Sequence, residues 1–145
     1  MLKVIAIDPG IAKCGFVIAG IKQKKVFKAE VIRSDFLLNY VRKIYQKEDN
    51  IQLIIGNGTG SQKYINELKV FIPNLIIAEE KNSTYLAKQR YFEIFPLRGL
   101  SCFFPKEIFI LNKNLDALAA LIILENHYDC KFQISDEVCI KTWLK

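Results

Sequence analysis

The order of the apolar segments is the feature that most constrains the fold of this chain. Three strand-like runs rich in β-branched residues come first, with only short turn sequences between them. Helix-like and strand-like stretches then alternate. The strand-like runs are 2–7, 15–21, 25–32, 51–55 and 75–78, and the helix-like stretches are 34–47, 61–71, 83–95 and 115–128. This order predicts an α/β fold with a mixed central sheet, an antiparallel meander followed by parallel strands, flanked by helices on both faces.

Length and composition favour one domain with a substantial core. The 145 residues contain no linker or repeat, and 51% of them are hydrophobic, so residues 1–145 are expected to form a single domain. Residues 130–145 fit a strand, a short helix or both. The longest apolar run, 117–124, is far shorter than the ~20 residues that a membrane span needs. With no signal sequence and no close cysteine pair, we expect a cytoplasmic protein with reduced thiols and no structural zinc.

Three acidic residues stand where predicted elements end or begin. Asp8 ends the first strand, Glu80 follows the last predicted strand, and Asp116 lies in the first turn of the last helix. Each has an ordinary explanation: Asp-Pro-Gly is a common turn, a strand end is often solvated, and a helix dipole favours an acid at its start. Because sites in open α/β sheets lie at the carboxyl ends of strands, the three together instead suggest a carboxylate cluster that binds Mg²⁺ or Mn²⁺.

Four sequence segments resemble nucleases of the RuvC/YqgF type. Residues 8–15 read D-P-G-I-A-K-C-G, similar to the family's first hairpin, D-x-G-x-x-[KR]-x-G. Residues 79–84 read E-E-K-N-S-T, similar to the acidic strand end D-E-R-x-T-T of YqgF-type proteins. Residues 116–125 resemble the last helix of the same proteins, and the I-G-N-G-T of residues 55–59 resembles a segment in the YqgF-like domain of Tex proteins.

The resemblance implies an RNase H-like fold and a metal-dependent endonuclease. Its expected substrate is structured nucleic acid, either ribosomal RNA precursor, as for YqgF-type enzymes, or a Holliday junction, as for resolvases. Asp8, Glu80 and Asp116 are then the catalytic residues and the ligands of Mg²⁺ or Mn²⁺, with Glu80 rather than Glu79 matching the family's acid. Resolvases carry a further acid where this chain has Lys113, which favours the three-acid YqgF type.

The Tex-like segment supports a different outcome. In Tex proteins the equivalent domain is thought to have lost nuclease activity, so the alternative is a nuclease-inactive module of RNase H fold that binds nucleic acid. A nucleotide-binding domain of the sugar kinase and actin type also begins with a D-x-G hairpin, but that architecture needs two such domains and 145 residues are too few.

Basic and aromatic residues near the predicted acids are candidates for binding nucleic acid. The formal net charge of +6 favours an anionic partner, and basic side chains interleaved with an aromatic suit a surface that follows a phosphate backbone. An ordinary solvated charged face is the alternative. The candidates are Lys13, Lys81, Tyr85, Lys88, Arg90 and Arg98. The expected partner is structured RNA or branched DNA, with no membrane, and the protein is expected to be a monomer or a homodimer.

Overall fold

The computed structural model describes residues 2–48, 50–80, 82–109, 115–135 and 138. Its strands are β1 (Lys3–Asp8), β2 (Lys13–Gly20), β3 (Lys25–Arg33), β4 (Ile51–Gly56), β5 (Ile76–Ala78) and β6 (Gln133–Ile134). Its α-helices are α1 (Leu37–Tyr45), α2 (Ser61–Phe71), α3 (Ser83–Ile94) and α4 (Asp116–Tyr128). Two short 3₁₀ helices, Gly99–Phe103 and Lys106–Phe109, follow α3.

The strands form one mixed sheet in the order β5-β4-β1-β2-β3-β6. The meander β1-β2-β3 is antiparallel, while β4 runs parallel to β1 and β5 runs parallel to β4. This is the mixed sheet that the order of apolar runs predicts, with the helices on both faces. The predicted α/β fold class, a mixed central sheet flanked by helices on both faces, is confirmed.

Alternation along the strands divides the core between the two faces of the sheet. In β1, Val4 and Ala6 belong to one buried cluster, and Ile5 and Ile7 belong to the other. The first cluster is completed by α4 and by one residue of α3, and the second by α1 and α2. Residues 117–124 of α4 are all buried, so this helix is covered on every side. The face that carries α4 is also the face that carries the candidate site.

The predicted element boundaries shift where tertiary hydrogen bonds intervene. The sequence predicts a helix capped by Ser34, but α1 begins at Leu37 because β3 continues to Arg33. The backbone N–H of Ser34 donates to the carbonyl of Ala12, which holds this residue beside the β1–β2 turn. The sequence also predicts caps at Ser83 and Asn114 for the helices that follow them. Helix α3 begins at Ser83 itself, after Asn82 in the left-handed region, so Ser83 is not its cap, and Asn114 lies outside the described residues.

Part of the chain end that the sequence left open is a strand. Gln133 and Ile134 form β6, which pairs in parallel with Lys25 and Val26 at the start of β3. In the part of the chain that the structure describes, no helix has the length and apolar character to cross a bilayer.

Candidate active site

Strand β1 delivers Asp8 to the face covered by α4. Asp8 follows Val4 and Ala6 at alternate positions, and it pairs with Gly15 of β2 in the antiparallel register. The turn after it is tight, because a Cβ on Gly10 would overlap the carbonyl oxygen of Lys13. The Asp-Pro-Gly sequence therefore does form a turn, and it leaves the carboxyl of Asp8 half-buried at the end of the strand.

Gly15 brings the start of α4 against the sheet. A Cβ at this position would overlap the carbonyl oxygen of Asp116, so only glycine allows the first turn of α4 to lie directly on β2. Since Gly15 is the register partner of Asp8, the close approach also brings Asp116 to Asp8. Two residues that are far apart in sequence thus reach one edge of the sheet.

The turn between β4 and α2 holds Glu80. A Cβ on either Gly56 or Gly58 would overlap the Glu80 carboxylate, so the two glycines leave the space that this group occupies. The Gly58 N–H donates to the carboxylate. The side-chain carbonyl of Asn57 accepts the backbone N–H of Glu80 at 3.3 Å. The sequence of residues 57–61 fits a phosphate-binding nest or, slightly better, a Gly-rich strand-to-helix turn. The segment is a turn, and its Gly58 N–H binds a carboxylate of the chain itself.

The structure selects between the two adjacent glutamates. Glu80 is half-buried and forms a side-chain hydrogen bond with Asp8, whereas Glu79 is exposed. A hydrogen bond between two carboxyl groups requires a proton on one of them. Burial, the charges of Glu80 and Asp116, and this hydrogen bond together raise the pKa of Asp8 to about 7. Burial also raises the pKa of Glu80, against the hydrogen bonds from Gly58 and Asp8.

Lys13 forms an ion pair with one of the three acids. Its ammonium lies 3.3 Å from Oδ2 of Asp116, and the two side chains are 44% and 30% exposed. The predicted basic residue of the first hairpin is therefore at the acidic cluster, and its contact is with a carboxylate of the chain.

The other predicted nucleic-acid-binding residues are not gathered at one point. Tyr85 and Lys88 are exposed on α3, which starts three residues after Glu80, and Arg98 is exposed beyond the end of that helix. The predicted contact residue Lys81 lies outside the described residues.

Arg90 has a different environment from the one that the sequence suggested. Its side chain is only 12% exposed, and its guanidinium donates to Oε1 of Glu125 at 2.9 Å and to the carbonyl of Phe132 at 2.8 Å. A further bond of 2.9 Å reaches Glu93. The guanidinium thus joins α3, α4 and the segment before β6, and it is not presented to a partner. The sequence placed Arg90 near the face that carries Tyr85 and Lys88, but it does not reveal the buried carboxylate of Glu125 on α4.

The three carboxylates fit a hard divalent cation in the chemistry of their oxygen atoms. Asp8, Glu80 and Asp116 offer only oxygen donors, which Mg²⁺ and Mn²⁺ prefer, and the glycines around Glu80 leave its carboxylate room. Among the described residues, however, no three side chains of His, Cys, Asp or Glu are already spaced to hold an ion. The donor set is therefore suitable in kind, and its members would have to move together to bind a metal.

Known proteins share a distant structural likeness with this chain but no sequence match. No protein-family model matches the chain, and no curated protein matches its sequence. Among solved structures, the chain is similar to T. thermophilus RuvC in complex with a Holliday junction substrate, with a TM-score of 0.48 and 14% sequence identity. The match covers 92% of this chain and 100% of that one. The strand order and the contacts within this chain define its fold and its candidate site without that likeness.

Sequence reasoning found the acids and missed the residues that position them. Gly15, Gly56 and Gly58 make room for the site, and Asn57 holds the backbone of Glu80. Their signal was present, because all four lie within the two glycine-containing motifs quoted above. A pattern of glycines does not say which distant group will occupy the space, and that is what the structure adds.

Proposed function

We propose that this chain is a divalent-metal-dependent nuclease that acts on structured nucleic acid. The observation that carries the proposal is the meeting of Asp8, Glu80 and Asp116 at one edge of the sheet, where burial and the charges of Glu80 and Asp116 raise the pKa of Asp8 to about 7. A half-buried acid cluster is unfavourable without a cation, and strongly perturbed carboxyls concentrate at functional sites. Mg²⁺ or Mn²⁺ bound by the three carboxylates is the proposed cofactor.

In the proposed reaction, the fold of the chain positions the three carboxylates. A bound divalent ion would supply a water of lowered pKa and stabilise the leaving oxygen of a phosphodiester. The Gly58 N–H holds the Glu80 carboxylate in the space that Gly56 and Gly58 leave, and the carboxylates of Asp8 and Asp116 would have to move toward it to share an ion. Asp8 is held by the sheet register and Asp116 by the contact between Gly15 and α4. Rigid elements therefore support all three acids, as precise catalysis requires.

The expected substrate follows from charge and from the surface beside the acids. The chain has a formal net charge of +6, and Tyr85 and Lys88 are exposed on the helix that begins beside Glu80. An exposed aromatic next to a lysine suits base stacking and phosphate contact together. Within this class, the resemblance favours ribosomal RNA precursor of the YqgF type over a Holliday junction, because the fourth acid of resolvases is replaced by Lys113.

A nuclease-inactive binding module is the second candidate. The specific observation in its favour is the Tex-like segment 55–59, together with the finding that no three of the described acids are already spaced as metal ligands. Such a module would bind the same nucleic acids without cleaving them.

Cleavage assays on two adjacent glutamates test the proposal. The parent protein is incubated with junction DNA and with precursor ribosomal RNA, each with Mg²⁺ or Mn²⁺. Metal-dependent cleavage that is lost in Glu80→Gln and kept in the matched control Glu79→Gln supports a nuclease. Binding without cleavage by the parent on both substrates would favour the inactive module, and equal loss in both variants would contradict the assignment of Glu80.

A further inference from the structure

Lys13 lies beside the acid cluster, next to Asp116. It is the first residue of β2, and Gly15, two residues later on the same face of the strand, is the residue on which α4 rests. The strand that seats the helix therefore also presents an ammonium group to Asp116, the first residue of that helix, at 3.3 Å. The backbone of Lys13 is held by the sheet, where it pairs with Arg33 of β3.

The ion pair engages a carboxylate that the proposed metal site also needs. A divalent ion and the Lys13 ammonium need the same carboxylate, Asp116, and both are hard cations that bind oxygen. Lys13 has a long flexible side chain that is 44% exposed, so it can leave Asp116 without a change in the backbone.

We propose that the ammonium group of Lys13 competes with divalent metal for the carboxylate of Asp116 and thereby weakens metal binding at this site. The inference rests on the proposed metal site and adds a residue that sets its affinity and its selectivity between cations. On displacement by metal, the ammonium remains at the edge of the cluster, where a phosphate bound to the metal would meet it. The competition is electrostatic, so it does not depend on the identity of the nucleic acid.

Metal titration without nucleic acid tests the competition. Binding of Mn²⁺ and of Mg²⁺ to the full chain is measured by isothermal titration calorimetry for the parent, Lys13→Met and Lys13→Arg. The matched control is Lys131→Met, which removes a lysine whose ion pair with Glu93, at 2.7 Å, lies on an exposed surface. We expect Lys13→Met to bind metal about tenfold more tightly, because a neighbouring positive charge is removed. Lys13→Arg keeps the charge and should stay within about twofold of the parent, as should Lys131→Met.

The outcomes separate this inference from the function on which it rests. Equal or weaker metal binding by Lys13→Met, with clear binding by the parent, would overturn the role of Lys13 and leave the metal site in place. No binding by the parent or by any variant would overturn the metal site and this inference together. If Lys13→Met unfolds, a Lys13→Gln variant measured against Lys13→Arg provides the same contrast in charge. Tighter binding in Lys131→Met as well would mean that net charge, not the contact with Asp116, controls the affinity.

Discussion

The two ends of helix α4 each carry an acid paired with a cation, and the pairs differ in kind. Glu125, near the end of the helix, is 7% exposed, and its Oε1 accepts from Arg90 and from the backbone N–H of Phe132, both at 2.9 Å. Asp116, at the start, is 30% exposed and lies 3.3 Å from the more exposed Lys13. Glu125 connects three elements, whereas Asp116 lies beside two further carboxyls. Glu125, whose carboxylate has partners within the fold, is therefore structural, whereas Asp116, which lies beside two other carboxyls, is a candidate for chemistry.

The largest expected effect comes from removing one carboxylate of the cluster at the start of α4. Asp8→Asn removes one carboxylate of the cluster, and we expect metal-dependent cleavage to fall by at least about a thousandfold, the scale of losing a central catalytic group. The metal-free variant should be as stable as the parent or more so, because repulsion and the cost of burying a charge are relieved. Cleavage assays and thermal unfolding check both parts.

Metal-dependent stabilisation provides the control for Asp8→Asn. Divalent metal should raise the Tm of the parent and raise that of the variant much less, because a ligand stabilises only the state that binds it. A destabilised variant, with no effect of metal on either protein, would show that Asp8 only organises the Pro9-Gly10 turn.

The next effect comes from removing the cation that pairs with Glu125 near the end of α4. Arg90→Met leaves Glu125 buried without its main cation, and we expect a loss of about 3 kcal/mol in the free energy of unfolding. Metal affinity should not change, since Glu125 lies nine residues from Asp116 along α4, about 14 Å. Chemical denaturation and metal titration test this. The control is Glu93→Gln, which alters an exposed partner of Arg90 and should cost less than about 1 kcal/mol. Similar losses in the two variants would contradict the structural role of the buried pair.

A smaller effect concerns pH. The folded pKa of Asp8, about 7, is above its ordinary value of 3.8, so the folded state binds more protons than the unfolded state between these values. The stability that Asp8 contributes is therefore present at low pH and is lost as pH rises from about 4 to about 7. Metal-free unfolding of the parent, measured relative to Asp8→Asn across this range, should show the decline. A constant difference between the two proteins would contradict the raised pKa.

The smallest effect separates a basic residue of α3 from one of α2. Lys88→Gln removes an exposed lysine and should weaken binding of structured RNA or branched DNA a few-fold across sequences, with a slightly shallower dependence on salt. Lys63→Gln, on the helix at the opposite face of the sheet, is the matched control and should leave the affinity unchanged. Fluorescence anisotropy at several salt concentrations measures the difference. Equal effects in both variants would indicate attraction by net charge alone.

The candidate acids could be located from the sequence because their signals are local. Asp8 and Glu80 follow apolar runs, and Asp116 starts an apolar helix, so each stands at a recognisable boundary. The first-hairpin motif also places Lys13 five residues after Asp8. The start of α1 was wrong by three residues, because the hydrogen bond from Ser34 to Ala12 depends on a turn more than twenty residues earlier.

Periodicity and turn chemistry act between neighbouring residues, so the sequence predicts β1 to β5, the four α-helices and the acids at their ends, while it leaves β6 open. Which cation lies beside which acid depends on contacts between residues that are distant in the chain. Lys13 and Arg90 look alike in a list of basic residues, yet one lies at a crowded edge and the other is buried against Glu125. The physical reason is packing: the absent side chain of Gly15 lets α4 rest on β2, and that one contact places Asp116 at the cluster and Glu125 away from it.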